Sequence, residues 1–233
     1  MSDNGLPKHV AFIVDGNRRW ARRAQLPFFD AYKIAGQNLV DIVVAASRMG
    51  VRNVTAFLFS TENWKRDKAD IEAVMTAFKE ILYEHTGTFK ANGIRAHTIG
   101  HTAGVPDDVQ QAIAYAIQET SGCCIANFVL AFNYGGRWDI VSAIKAAASR
   151  QNGDDWDGFN EQTLSRFIST ATFGDPELLI RTGGQQRVSN FLLWQLAYAE
   201  LYFSELMWPD FTAKELELAL LDYADRERRL GGG

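Results

Sequence analysis

The 233-residue chain is long enough for one large α/β domain with a sizeable core. Its 47% hydrophobic and 22% charged residues are ordinary for a globular protein, and a formal charge of −4 gives no electrostatic case for nucleic acid. The two cysteines, adjacent at Cys123 and Cys124, exclude a disulfide scaffold and fit a reducing cytoplasm. No apolar run reaches the ~18 residues of a membrane span, and no basic-then-apolar signal opens the chain, so no transmembrane segment is expected.

Val10 to Val14 reads as a buried strand that ends in Asp15-Gly16-Asn17, with Arg18, Arg19, Trp20, Arg22 and Arg23 following. A carboxylate beside a glycine turn and paired arginines suits a metal-bound diphosphate. The carboxylate holds a hard cation and the guanidiniums fork onto phosphate oxygens. A strand followed by a solvated basic loop explains these residues equally well. Leu39 through Met49 has helical periodicity, and Val54–Phe59 is a second strand. The segment FSTENWKR, Phe59 to Arg66, leaves that strand. Ser60 or Thr61 with Glu62 fits a helix cap, but capping does not explain Asn63, Trp64 and Arg66.

Ile71, Val74, Met75, Phe78, Ile81 and Leu82 share one helical face. A third strand is predicted at Ile94–Ile99, a helix at Val109–Ile117, a fourth strand at Ile125–Phe132 and a helix at Ile140–Ala148. Gln151–Gly158 reads as a surface loop, Leu178–Ile180 as a short fifth strand, and Leu216–Tyr223 as a C-terminal helix. RTGGQQRVSNF, Arg181 to Phe191, sets two arginines and a serine around a Gly-Gly turn that can wrap an anion with side-chain and backbone donors. Neither GxxxxGK[ST] nor GxGxxG occurs, so a nucleotide is unsupported. Glu200 lies within the apolar stretch LLWQLAYAELYF, where a carboxylate needs a salt bridge or a metal.

Alternating strands and helices argue a mostly parallel sheet covered on both faces, whose ligands bind beyond the carboxyl ends of the strands. Asp15, Ser60 to Arg66, Asn133 to Arg137 and Arg181 to Ser189 all fall there. The histidines at 9, 85, 97 and 101 lack metal-ligand spacing, and Cys123-Cys124 reads as a small buried pair before a strand.

Taken together, HVAFIVDGNRRW, FSTENWKR, NYGGRWDIV, LLIRTGGQQRVSNFLLWQLAYAELYF, WPDF and RERRLGG resemble the cis-prenyltransferases, the undecaprenyl diphosphate synthase family, from His9 to Gly232. The resemblance implies a single α/β domain with a central twisted, mostly parallel sheet of about six strands, ringed by helices around an apolar prenyl tunnel. It also implies Mg2+ and a homodimer. Carried over position by position, Asp15 would be the metal-linked residue that assists departure of the allylic diphosphate, and Glu200 would complete the metal site. Gly16, Asn17, Arg18, Arg19 and Arg66 would meet that diphosphate, with Thr61 and Glu62 beside them. Trp20 and Trp64 would shape the tunnel mouth. Asn63, supported by Ser60, would sit where the acceptor loses its proton. Arg181, Arg187 and Ser189 would grip the second diphosphate. Arg229-Leu230-Gly231 matches an Arg-x-Gly tail that reaches into a partner's site.

The chain departs from the family between Ala24 and Gly36. Phe28 or Phe29 stands near the usual arginine, and Ala31-Tyr32 where Gly-His belongs. Each lost charge-assisted contact is worth about 1.5–3 kcal/mol, and Lys33 or Tyr32 are the candidate replacements. Gln185-Gln186 is a second departure, and leaves the metal fewer ligands. Asp30-Ala31-Tyr32 resembles the Asp-Gly-Tyr of lavandulyl-type synthases on this fold, which join two allylic diphosphates head to middle. The changes surround the donor diphosphate, which favours irregular coupling over regular Z-condensation of isopentenyl diphosphate. Asp15, Asn63, Glu200 and the tail argue against a third reading, a non-catalytic partner subunit. Bulk at Leu58, with Phe78 and Phe132, should close the tunnel early and give a product of about C10 to C20.

Overall fold

A computed structural model describes residues 5–150 and 158–227. Its sheet contains β1 (His9–Ile13), β2 (Asn53–Ser60), β3 (Ile94–Ile99), β4 (Ala126–Tyr134), β5 (Leu178–Arg181) and β6 (Glu200–Phe203). The strand order is β3-β4-β2-β1-β5-β6, and every neighbouring pair is parallel. The helices are α1 (Asn17–Ala24), α2 (Phe28–Arg48), α3 (Lys68–Ala91), α4 (Asp107–Glu119), α5 (Gly136–Arg150), α6 (Glu161–Ser165) and α7 (Ala213–Asp225). The six-stranded parallel α/β fold that the resemblance implies is thus present.

β1 and β5 are buried along their whole length, and β4 nearly so, as expected of central strands covered on both faces. One core packs the sheet against α2, α3 and α7 through Val10, Phe12, Leu39, Ile42, Phe89 and Leu220. A second, on the opposite face, joins Ala11, Leu179, Tyr134, Phe191 and Leu192.

The helices α1 and α6 are not predicted from the sequence, α3 runs on past Leu82 to Ala91, and two further elements depart from the periodicity. α2 begins at Phe28, eleven residues before the predicted Leu39, because Pro27 fixes its start. β6 lies inside what reads as one apolar stretch; only four residues long and partly exposed, it shows too little alternation to be recognised. Of the loop Gln151–Gly158, residues 151–157 lie outside the described residues. Cys123 is half-buried and Cys124 exposed, so the two are not a buried pair.

The register aligns the strand ends that matter. Ile13 pairs with Phe57 and with Arg181, and Ser60 with Tyr134, so the segments after β1, β2, β4 and β5 emerge at one edge. Around Leu58 the β2–β4 register shifts. The shift breaks strand alternation, so Phe57 and Phe59 join different cores and Leu58 faces a cavity.

Candidate active site

A cavity of about 770 Å³ opens at this edge and runs down between the sheet, α2 and α3. Polar side chains ring its mouth: Asp15, Arg18, Arg19, Asn63, Arg66 and Arg181. Its inner wall is apolar. Val74, Phe78, Ile81, Leu82 and Phe89 follow α3 over about four turns, or ~22 Å.

Asp15 occupies the junction of the two halves. Its backbone is clamped by Thr182, whose hydroxyl accepts from the Asp15 N–H at 3.0 Å and donates to the Asp15 carbonyl at 2.8 Å. The Asp15 Oδ2 accepts from Arg181 Nη2 at 2.8 Å, and Oδ1 accepts from the Gly16 N–H at 2.6 Å and lies 3.6 Å from Arg19 Nη2. Gly16 has φ +105°, and a Cβ there would lie 2.9 Å from Met207 Cβ, so the turn requires glycine. Gly16 precedes the first turn of α1, whose leading N–H groups have no side-chain cap and point their dipole toward the mouth. Asn17 Nδ2 donates to the Val14 carbonyl at 3.0 Å, while its buried Oδ1 has no hydrogen-bond partner.

Arg181 is 3% exposed. Besides Asp15 it bonds Ser189 Oγ at 2.8 Å and the Arg187 carbonyl, and so gathers this loop around itself. Arg187 in turn donates to Gln185 Oε1, which gives one of the two departing glutamines a structural partner. The Gly-Gly turn does not offer its backbone to an anion, as the sequence suggests. The Gly183 N–H donates to the Leu206 carbonyl and the Gly184 N–H to the Ser204 carbonyl, so both are committed. Gly183 instead makes room for Arg19, whose Nη2 donates to its carbonyl at 2.7 Å and would lie 2.6 Å from a Cβ.

After β2, the cap is formed by Ser60 with Asn63 rather than with Glu62. The Ser60 N–H donates to Asn63 Oδ1 at 3.1 Å, which fixes the Asn63 side chain at the cavity wall. Glu62 also lines the cavity and accepts from Asn190 Nδ2 at 2.8 Å. Burial alone would raise the Glu62 carboxyl; hydrogen bonds from Asn190, its own backbone, Ser60 and Thr61 outweigh it and hold the group below the usual carboxylate range. Thr61 is absent from the cavity lining and packs beside Gly135.

Several expected site residues stand elsewhere. Trp20 does not line the cavity; its indole donates to Asp210 at 2.8 Å, beside Arg23 on the same carboxylate, and ties α1 to the Trp208–Asp210 turn. Trp64 donates to Asn133 Oδ1 at 2.8 Å and packs edge-on against Phe59, behind the wall. The segment Asn133 to Arg137 is also support. Gly136 and Arg137 donate backbone N–H groups to the Asn190 carbonyl and side chain. Asn190 thereby links three segments, a role that its position inside a motif does not reveal.

Glu200 opens β6 opposite Leu178, at the far end of β5 from Arg181, and pairs with Arg226 Nη1 at 2.7 Å. The two carboxylates of the expected metal site are therefore not brought together within one chain. Among the described residues, no three His, Cys, Asp or Glu side chains cluster as a metal site. Arg229 and Gly231 lie outside the described residues.

The residues in place of the usual arginine and histidine are also engaged. The Phe28 ring lies 5.3 Å from the Arg18 guanidinium carbon, a cation–π contact. Tyr32 donates its hydroxyl to Asp70 Oδ1 at 2.9 Å. Lys33 turns away to Glu84 at 2.6 Å and Glu80 at 3.2 Å, so it does not replace a phosphate ligand here. Leu58, Phe78 and Phe132 do line the cavity, with Phe78 stacked on Phe132 at 4.4 Å. The lining continues past them to Phe89 and Phe128, however, so these three do not close its floor.

Comparison with known proteins is consistent with this arrangement. The family model described as putative undecaprenyl diphosphate synthase matches residues 13–231. A chloroplastic nerylneryl diphosphate synthase of Solanum lycopersicum is 42% identical over 97% of this chain and 71% of its own length. The structure of lavandulyl diphosphate synthase from Lavandula x intermedia, in complex with dimethylallyl diphosphate, superimposes with a TM-score of 0.94 at 33% identity, covering 99% of this chain and 100% of that one. A probable undecaprenyl diphosphate synthase from Campylobacter jejuni gives 0.81 at 30% identity, covering 97% and 99%. With the family model spanning nearly the whole chain and these relatives 30–42% identical, the chain is a prenyltransferase and belongs to the undecaprenyl diphosphate synthase family, the cis-prenyltransferases.

Proposed function

We propose that the chain is a short-chain prenyl diphosphate synthase that condenses dimethylallyl diphosphate with a second allylic diphosphate, dimethylallyl or geranyl, head to middle, giving a branched lavandulyl-type diphosphate. The observation that carries this reading is the donor end of the mouth, where Phe28 and Tyr32 are built around Arg18 and Asp70 instead of offering the usual arginine and histidine. The fit to the lavandulyl synthase, closer than that to the Campylobacter protein, supports it.

In this reading Arg18, Arg19 and Arg66 take up the charge of the departing diphosphate, where fixed guanidiniums in a water-poor pocket act most strongly. Arg181, Arg187 and Ser189 orient the second diphosphate. Asn63, pinned to the Ser60 backbone, positions the carbon that loses its proton. Mg2+ suits the donor set, because it is commonly held by one or two carboxylates together with substrate phosphates. Asp15 would hold it, and the metal would supply charge to the leaving group. Glu200, at the opposite strand end, would reach such a site only from a second copy.

A homodimer is part of the proposal. The edge strand β6 carries exposed Leu201, with exposed Tyr198 and Leu206 on either side of it in the chain, Tyr198 being 82% exposed. No helix among the described residues is long and apolar enough to cross a membrane, and the free cysteines suit a reducing cytoplasm.

Regular Z-condensation of isopentenyl diphosphate is the second reading. It is favoured by the long apolar wall, which has room for successive additions, and by the 42% identity to the nerylneryl synthase. NMR of dephosphorylated products from dimethylallyl or geranyl diphosphate, each with and without isopentenyl diphosphate, separates the two. A branched product from allylic substrates alone supports irregular coupling. A linear Z product that requires isopentenyl diphosphate overturns it.

A further inference from the structure

Asp70 belongs to no motif singled out in the sequence. It is an acid in the first turn of α3, a position that ordinarily faces water, yet it is 2% exposed. A carboxylate so buried is tolerated only with charged or hydrogen-bonded partners. Its partners are three residues of the cavity mouth. Arg18 Nε lies 3.5 Å from Asp70 Oδ2, Arg66 Nη1 lies 3.6 Å from the same oxygen, and the Tyr32 hydroxyl bonds Oδ1. Arg18, Tyr32 and Arg66 line the cavity, whereas Asp70 stands behind them.

Proton counting defines the role of Tyr32. A phenol has one O–H to donate, and this one goes to Asp70. Its oxygen accepts from Arg66 Nη1 at 3.4 Å. Burial pushes the Tyr32 phenol well above its usual range, with Arg66 opposing and Asp70 reinforcing, so it stays protonated at any working pH. Tyr32 therefore cannot give its proton to a phosphate while it bonds Asp70. It relays the position of Asp70 to Arg66. Arg18 is held on two sides, by the Phe28 ring and by Asp70. Its Nε and Asp70 Oδ2 are both buried without a hydrogen bond, charges facing each other just beyond bonding distance.

We propose that Asp70 is a positioning residue that sets Arg18 directly, and Arg66 partly through Tyr32, as a fixed pair of guanidiniums for the diphosphate that leaves. Two arginines side by side repel, and a long side chain loses rotamer freedom when it binds. A buried carboxylate between them meets both costs before substrate arrives. The pair keeps its outward N–H groups for phosphate oxygens, while Tyr32 and Phe28 serve as its frame. The inference rests on the reading that a substrate diphosphate occupies this end of the cavity.

The test is a mutant cycle read as kcat/KM for diphosphate release from dimethylallyl diphosphate, with and without isopentenyl diphosphate. Asp70→Asn and Tyr32→Phe should each lower kcat/KM about tenfold, with thermal melts confirming the fold. Tyr32→Phe should then have no further effect in an Arg66→Ala background, yet keep its full tenfold effect in an Arg181→Ala background at the other end of the mouth. An equal Tyr32→Phe effect in both backgrounds, or none in the wild type, overturns the positioning role. Full kcat/KM in both Arg18→Ala and Arg66→Ala would instead show that no diphosphate is held here, and would remove the underlying reading as well.

Discussion

The two ends of the central strands carry different kinds of polar chemistry. At the amino end polar groups find partners in one another. Buried His9 bonds Thr55 and the Gly174 carbonyl, Asn53 accepts from Asn127, and Glu200 pairs with Arg226. At the carboxyl end charges are gathered but incompletely satisfied. The four described buried side-chain atoms without a hydrogen bond are Asn17 Oδ1, Arg18 Nε, Asp70 Oδ2 and Arg181 Nε, and all four belong to residues at or directly behind the cavity mouth. Unsatisfied buried polar groups lower stability, so their confinement to one end marks where the fold has been arranged for a ligand. The amino end holds the sheet together, and the carboxyl end works.

The sharpest way to break this contrast is to remove the acid at the centre of the working end. Asp15→Ala should lower turnover by about a thousandfold, measured as diphosphate release, with a melting temperature within a few degrees of the parent. A variant that keeps its turnover but melts far below the parent would reverse the contrast.

At the amino end the expectation is the opposite. Burial, against the pull of the Gly174 carbonyl, lowers the His9 pKa from 6.5 to about 4. The folded state thus favours neutral imidazole, and its contribution is complete above pH 6.5 and lost as pH falls toward 4. The shift corresponds to about 3 kcal/mol, roughly a few hundredfold in the folding constant. His9→Gln should lower stability at pH 7 while leaving kcat unchanged, and the gap to the parent in denaturant melts should shrink as pH drops from 6.5 to 4. A gap independent of pH would contradict this.

A smaller effect distinguishes supports from ligands within the mouth. Arg19→Ala removes one charge-assisted donor and should reduce kcat/KM by about ten- to thirtyfold. Trp20→Phe keeps the ring but loses the bond to Asp210; it should affect stability by about 1 kcal/mol and kcat/KM little. The smallest change is expected for Leu58→Ala. Because the cavity already continues to Phe89 and Phe128, product chromatography should show a minor shift in chain length. A jump to long chains would make Leu58 the floor after all.

The contrast also explains what the sequence reveals. Asp15, Asn63, Arg66, Arg181 and Ser189 are legible because a parallel sheet brings the ends of its strands together, and each follows a recognisable strand. Trp20 and Trp64 mislead because they sit within the same motifs but point into supporting contacts, a difference that no spacing encodes. The Gly-Gly turn misleads for a related reason: its glycines accommodate Arg19 and bond to the segment after β6, which is distant in sequence. Asp70 is invisible because a first-turn acid is ordinary on any exposed helix. Only the packing of α2 against α3 buries it beneath Tyr32.

The most direct test of the account is diphosphate release by the purified chain given Mg2+ and dimethylallyl diphosphate as its sole prenyl substrate. Sustained release over many turnovers without isopentenyl diphosphate is the expected result. Release that appears only when isopentenyl diphosphate is added would contradict irregular coupling and leave regular Z-condensation as the function of this site.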